Sequence, residues 1–340
     1  MEWNTLGHEW AAALLQHHVA QGEVRHAYLF TGPAGVGRRT LALRFAQAVN
    51  CPQPPAPGLP CGTCRTCQQI ERMQHADLTV VQSEPDSAVL KVEQIRELQH
   101  TLSLAPYEAR YRVALLRNFQ EANANAQNAL LKTLEEAPAR VILLVTAESV
   151  GSLLPTIVSR CEVLRLRPLT LEHLEAELQT RWQVPAQDAR LLAHLSGGRV
   201  GYALNLLQDP GLLERRQGWL EEMMEMLAAN RRDRFAYAEA TAKDKDRDKV
   251  RQMMQTWLIF WRDVYLRACG AQVALVNLDW AEQIEEMAGQ IDPSSARERL
   301  SALNQALTRL DANLNLRLLV EVTLLDWPRL RVSTPEMGES

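Results

Sequence analysis

No apolar run in this 340-residue chain approaches the roughly 18 residues that a membrane-spanning helix needs. The first residues, Met1-Glu2-Trp3-Asn4, have neither the basic start nor the apolar middle of a secretory signal. Cytoplasm is therefore the expected compartment, with no membrane partner. Basic charge is in no surplus either: 37 Lys and Arg stand against 41 Asp and Glu, a formal net charge of −4. That balance argues against a chain that grips nucleic acid unaided, although it leaves room for a local patch. There is no internal repeat and no bias toward disorder, since 46% of residues are hydrophobic and 23% charged. Cysteine is scarce. Four of the six cysteines fall between residues 51 and 67, a distribution unlike a disulfide framework.

What is present is a chain too long for one ordinary core, so two or three domains are expected. It is organised around Tyr28-Leu-Phe-Thr-Gly32-Pro-Ala-Gly35-Val-Gly37-Arg38-Arg39-Thr40. An apolar run enters a glycine-rich turn, and an apolar-periodic stretch over 41–49 reads as a helix. Strand, glycine loop and helix make up the layout of a phosphate-binding loop, in which backbone N–H groups and a helix N-terminus cradle an anion. Gly32 and Gly37 fit the glycine positions of G-x-x-x-x-G-K-[ST]. The chemistry departs from that pattern. Arg38 replaces the lysine, and Arg39 replaces the hydroxyl that coordinates magnesium; a guanidinium has no lone pair for a cation. Thr40 comes one residue late, about 100° round the helix.

Further short apolar runs at 78–81, 113–116, 141–145 and 162–166 read as strands. They alternate with helical stretches at 92–104 and 122–136. An amphipathic helix over 5–22 is expected to bury Leu6, Trp10, Ala13, Leu14 and Val19. The expected fold is an α/β domain with a parallel sheet and helices on both faces, its ligands at the strand ends. After the third strand, an ATPase of this layout carries an Asp for the magnesium shell and a Glu to orient water. Arg117 and Asn118 stand there instead, a second loss from one active site. His26 reads as a packed residue, and Lys132 as pairing with Glu135 or Glu136 along its own helix.

Cys51, Cys61, Cys64 and Cys67 lie in a segment whose prolines and glycines forbid regular structure up to Cys61. Thiolates at this spacing can close a tetrahedral structural zinc site; reduced free thiols and a redox C-x-x-C are the alternatives. Beyond Pro168 the strand signal ends. Short helices over 170–208 lead to a helical remainder from 212, with a last apolar helix over 312–325 and a loose tail from Ser333. Trp257, Trp261, Tyr265 and Leu266 form a stripe that suits a helical core better than base stacking.

Assembled, these residues resemble the bacterial DNA polymerase III clamp-loader family. The resemblance rests on His26-Ala-Tyr-Leu-Phe-Thr-Gly-Pro33, the four-cysteine insertion, Asn128-Ala-Leu-Leu-Lys-Thr-Leu-Glu-Glu136, Ser159-Arg160-Cys161 and Asn313-Leu-Asn-Leu-Arg-Leu-Leu319. It implies an AAA+ P-loop NTPase-like domain over 1–168 with the zinc insertion at 51–67, then a small helical lid over 169–210. An all-α collar over 211–332 and a flexible tail over 333–340 complete the implied division. It also implies that Arg160, between Ser159 and Cys161, projects into a neighbour's ATP site as an arginine finger. Such a group accelerates phosphoryl transfer by about 10³ to 10⁵ in other systems.

By the same resemblance Arg199 corresponds to sensor 2 and Thr146 to sensor 1, while Cys161 and Cys269 are expected as buried fillers. Arg38, Arg39, Arg117 and Asn118 place the chain with the family's non-motor subunits. The implied partners are gamma/tau and delta subunits and, through the assembly, the sliding clamp and primer–template DNA. ATP hydrolysis is not expected, although weak magnesium-free nucleotide binding is compatible with Arg38. An ATP-hydrolysing gamma/tau-like motor and a solitary zinc-stabilised nucleic-acid-binding module are the competing readings.

Overall fold

The computed structural model describes Trp3 and residues 5–84, 89–312 and 314–330; the expected tail lies outside the described residues. The chain divides into two compact units. The first takes the described residues up to Leu169 together with Arg199–Tyr202, and the second takes the rest.

In the first unit the elements run α1 (Glu9–Gln21), β1 (Ala27–Thr31), α2 (Arg38–Asn50), α3 (Arg65–Glu71), β2 (Leu78–Val81), α4 (Val92–Leu102) and β3 (Arg112–Leu116). They continue with α5 (Ala124–Glu135), β4 (Val141–Ala147), α6 (Pro155–Val158) and β5 (Glu162–Arg165). The five strands are parallel in the order β2-β3-β4-β1-β5, with Leu29 paired to Val145 and Leu115 to Leu144. The three inner strands are buried throughout, as strands covered on both faces must be. Alternate residues serve opposite layers. Tyr28, Phe30, Leu115 and Leu144 face a core with α1 and α2, whereas Leu29, Leu116, Leu143 and Val145 face a core with α4 and α5.

The expected face of α1 is corrected. Trp10 is 52% exposed, and none of the five residues expected inside is fully buried. The buried face is Ala11, Ala12, Leu15 and His18. Two alanines let the helix lie close, and the His18 ring bonds the Tyr28 hydroxyl at 3.0 Å. A reading by hydrophobicity ranks Trp above Ala and His and so selects the wrong stripe.

The second unit contains α7 (Leu171–Trp182) and α8 (Ala186–Ser196). The helix α9 (Val200–Gln208) starts in the first unit and ends in the second. Then come α10 (Pro210–Ala228), α11 (Arg231–Ala242), α12 (Arg247–Ala268), α13 (Ala281–Gln290), α14 (Pro293–Asp311) and α15 (Leu316–Leu325). The helix expected over 312–325 begins only at Leu316, where the Asn315 side chain accepts from the Leu318 N–H. Trp257 and Trp261 are fully buried; Trp257 Nε1 donates to the Trp219 carbonyl at 2.8 Å, and its ring meets that of Trp327 edge-on. The two tryptophans of the expected stripe are core, whereas Tyr265 and Leu266 are only half-buried. Cys269, expected inside, is exposed because it caps the end of α12, and Cys161 is only half-buried.

Candidate functional site

The glycine loop leaves β1 at its C-terminal end and turns directly into α2. Gly32 has φ +149°, and a Cβ there would stand 2.5 Å from the Leu166 carbonyl oxygen. Gly35, at φ +81°, would place a Cβ 2.9 Å from that of Tyr202. Both positions therefore need glycine. Two loop carbonyls are tied down: the Gly201 N–H donates to Gly35 at 2.8 Å, and His8 Nε2 bonds the Val36 carbonyl at 2.8 Å. A carbonyl only accepts, so Nε2 carries the proton, and the buried Nδ1 has no partner. His8 was missed in the sequence, where nothing marks it as touching a loop 28 residues away.

Arg38 is 7% exposed, and its Nη2 donates to Asn118 Oδ1 at 3.3 Å, while the buried Nη1 has no partner. Burial lowers its pKa, against the opposing pull of Glu148 and Glu121. Asn118 takes a left-handed backbone (φ +49°) at the end of β3, its N–H held by Thr146 Oγ1 at 2.9 Å. Arg117 bonds Gln82, and its pKa is lowered by burial and then by the nearby charge of Arg39. Arg39 and Thr40 are exposed. The side chains gathered at these strand ends are cations, an amide and a hydroxyl, with the carboxylates of Glu121 and Glu148 near enough to act on Arg38. The sequence positions that supply the magnesium ligands of an ATPase hold neither a carboxylate nor a correctly placed hydroxyl. Arg199 lies over the Tyr202 ring, 4.6 Å from its centroid, and burial lowers its pKa.

Arg160 follows the single turn of α6. Its Nη1 donates to the Thr156 carbonyl at 3.0 Å and its Nη2 to Glu135 Oε1 at 2.7 Å. Its side chain is 36% exposed. Glu135, one of the two carboxylates expected to pair with Lys132 along α5, gives its carboxylate to this arginine. The planar fork reaches across from the next helix. Ser159 Oγ shares the Thr156 carbonyl at 3.1 Å, and burial pushes the Cys161 thiol up to about 12.

The sulfurs of Cys51, Cys61, Cys64 and Cys67 lie within 4.8 Å of one another. Those of Cys61 and Cys67 are 4.0 Å apart, close to the ~3.8 Å edge of a tetrahedron with metal–sulfur bonds of about 2.3 Å. Backbone N–H groups of Cys61, Cys64 and Cys67 point at the sulfurs of Cys51, Cys61 and Cys64 at 3.3–3.4 Å, as thiolates favour. The N–H of Cys64 draws the Cys61 thiol down, whereas burial pushes Cys67 up. The donor set fits a metal ion closed off by four sulfurs.

A parallel sheet in this order, a glycine loop after β1 and a helical C-terminal domain define an AAA+ P-loop-type protein. Two family profiles match, "DNA polymerase III, delta subunit" over residues 7–170 and "DNA polymerase III, delta subunit, C terminal" over residues 210–329. The Bacillus subtilis DNA polymerase III subunit delta' is 31% identical over 314 residues, covering 92% of this chain and 93% of that one. The tau subunit of Salmonella typhimurium is 34% identical over 176 residues, but these are 52% of this chain and 27% of tau. The crystal structure of a gamma subunit-related protein from Thermotoga maritima superposes with a TM-score of 0.50 at 17% identity, covering 94% and 99% of the two chains. The chain belongs to the DNA polymerase III delta-prime family. Among the described residues no helix is long and apolar enough to cross a membrane.

Proposed function

We propose that this chain is the non-motor subunit of a DNA polymerase III clamp loader, donating Arg160 in trans to the ATP site of a neighbouring gamma/tau subunit. The observation that carries the reading is the contrast between two places in one fold. Where magnesium chemistry belongs, Arg38 is bonded to Asn118 at 3.3 Å, while Arg160 presents a partly exposed guanidinium on another surface. A fixed positive charge supplied from outside stabilises the charge that spreads onto phosphate oxygens in the transition state. In this reading the chain sits in a ring with gamma/tau and delta subunits, held by the collar over 211–332. The ring opens a sliding clamp and closes it on primed DNA in the cytoplasm. The segment over 169–210 acts as a lid, braced by Arg199. Thr146, at the sensor-1 position, is idle, and any nucleotide bound at the glycine loop is held weakly and without magnesium. The four cysteines hold one structural zinc, which fixes the 51–67 insertion and takes no part in catalysis.

The test is a reconstituted loader carrying Arg160→Ala. DNA-stimulated ATP turnover and clamp loading are expected to fall, and unchanged rates would remove the trans role. The motor reading predicts something else: tight, magnesium-dependent binding of a fluorescent ATP analogue by the isolated chain. Salt-sensitive DNA binding by the chain alone would favour a solitary nucleic-acid module.

A further inference from the structure

The guanidinium of Arg160 has five N–H donors, and two are engaged, one by the Thr156 carbonyl at 3.0 Å and one by Glu135 Oε1 at 2.7 Å. The two acceptors come from different elements. Thr156 belongs to α6 and fixes one nitrogen from beneath the side chain's own turn. Glu135 is the last residue of α5 and fixes the other from across the gap. Two anchored nitrogens, with the covalent attachment through Nε and Cδ as a third point, set the plane of the group, and three of its five donors are not engaged by these two acceptors. A long side chain that is 36% exposed would otherwise sample many rotamers, and most would miss a phosphate on another subunit. Glu135 itself is 52% exposed, so its carboxylate has no packing duty that explains its place. An isolated ion pair this open contributes little to stability.

We propose that Glu135 is the positioning residue for Arg160: it holds the guanidinium in the orientation in which a neighbouring subunit's nucleotide meets it. The inference rests on the trans role assigned to Arg160. A carboxylate so placed does not compete out the phosphate, because it occupies one donor of five and leaves the charge of the group unchanged. Its contribution is orientation, which in catalysis carries rate rather than ground-state affinity.

The experiment compares the reconstituted loader with Arg160→Ala, Glu135→Ala, Glu135→Gln and Glu135→Asp, reading kcat and KM for DNA-stimulated ATP turnover. Glu135→Ala is expected to lower kcat roughly two- to tenfold with KM unchanged, a smaller loss than that of Arg160→Ala, because misplacement by about 1 Å can cost up to 10²-fold. Glu135→Gln keeps an acceptor oxygen and is expected to fall between Glu135→Ala and the parent. Glu135→Asp, one methylene short, is expected to resemble the alanine variant. All variants are expected to keep the parent's thermal midpoint, which separates orientation from damage to the fold. A large loss with Arg160→Ala beside an unchanged Glu135→Ala overturns the positioning role and leaves the trans role standing. A rise in turnover with Glu135→Ala also overturns it, because the carboxylate would then be restraining the arginine. No effect of Arg160→Ala overturns both.

Discussion

The Nη2 of Arg38 donates to Oδ1 of Asn118 at 3.3 Å, and this bond joins the first residue of α2 to the loop after β3. At the glycine loop a buried cation thus faces an amide. A guanidinium in a residue 7% exposed, with Nη1 unpartnered and only a neutral acceptor on Nη2, is a poor stabiliser. Arg38→Met is therefore expected to be neutral or stabilising by on the order of 1 kcal/mol. Urea unfolding of the two proteins measures it. A destabilisation well beyond 1 kcal/mol would show that the arginine is a structural tie.

Acid stability should depend on Asp77. Burial alone would raise its pKa, but the N–H groups of Tyr107, Glu108 and Ala109 and the charge of Arg112 outweigh that and hold the carboxyl below its usual range. The three backbone donors lie 2.7–2.9 Å away, and Arg112 Nη2 at 3.2 Å. A depressed native pKa means stability that is present above the unfolded value of about 3.9 and lost as pH falls through the native one. Asp77→Asn should thus cost roughly 3–5 kcal/mol at pH 7, since it leaves the buried Arg112 uncompensated. The gap from the parent should narrow below about pH 4. A gap that stays constant from pH 7 to pH 3 would exclude the carboxylate as its source.

Metal removal tests the four-cysteine cluster. The purified chain is expected to carry about one zinc, and Cys64→Ser should lose most of it, because a three-sulfur site no longer closes a tetrahedron. Chelator added to the parent should lower the thermal midpoint and leave the Cys64→Ser midpoint nearly unmoved. Four titratable thiols with no metal in freshly purified protein would dismiss the site.

Much of the first unit was legible because its strands are apolar on both faces. Runs such as Leu78–Val81 and Val113–Leu116 are short and almost wholly apolar, and polar residues (Asp77 and Gln82, Arg112 and Arg117) bound them. The order of the strands was not legible, since pairing β1 between β4 and β5 joins residues more than a hundred positions apart. The cysteine cluster was readable because its spacing is local, whereas the bond between Arg160 and Glu135 spans 25 residues and two helix ends. The exposed Cys269 shows the limit of residue type as a guide. A thiol is usually buried, but the C-terminal end of a long helix placed this one in solvent.

The second unit contains a site that no pattern announces, and it gives the sharpest stability prediction. Arg234, in α11, is 4% exposed and among the described residues has no carboxylate partner; its five donors meet five carbonyls. Nε donates to Met226 at 2.9 Å, Nη1 to Leu324 and Trp327 at 2.8 Å each, and Nη2 to Leu227 at 3.3 Å and Pro328 at 3.0 Å. These oxygens lie at the C-terminal ends of α10 and α15 and the turn after α15, where helices leave carbonyls unpaired and the macrodipole favours a cation. Burial lowers the pKa of the group, but a guanidinium remains charged. Arg234→Met strands several buried acceptors and should cost roughly 3–5 kcal/mol. Arg234→Lys should do almost as badly: an ammonium has three hydrogens at one point and cannot span two helix ends. Thermal and urea unfolding of both variants decide it. If lysine restores most of the loss, charge at the helix ends is what matters; if it restores little, the shape of the fork is.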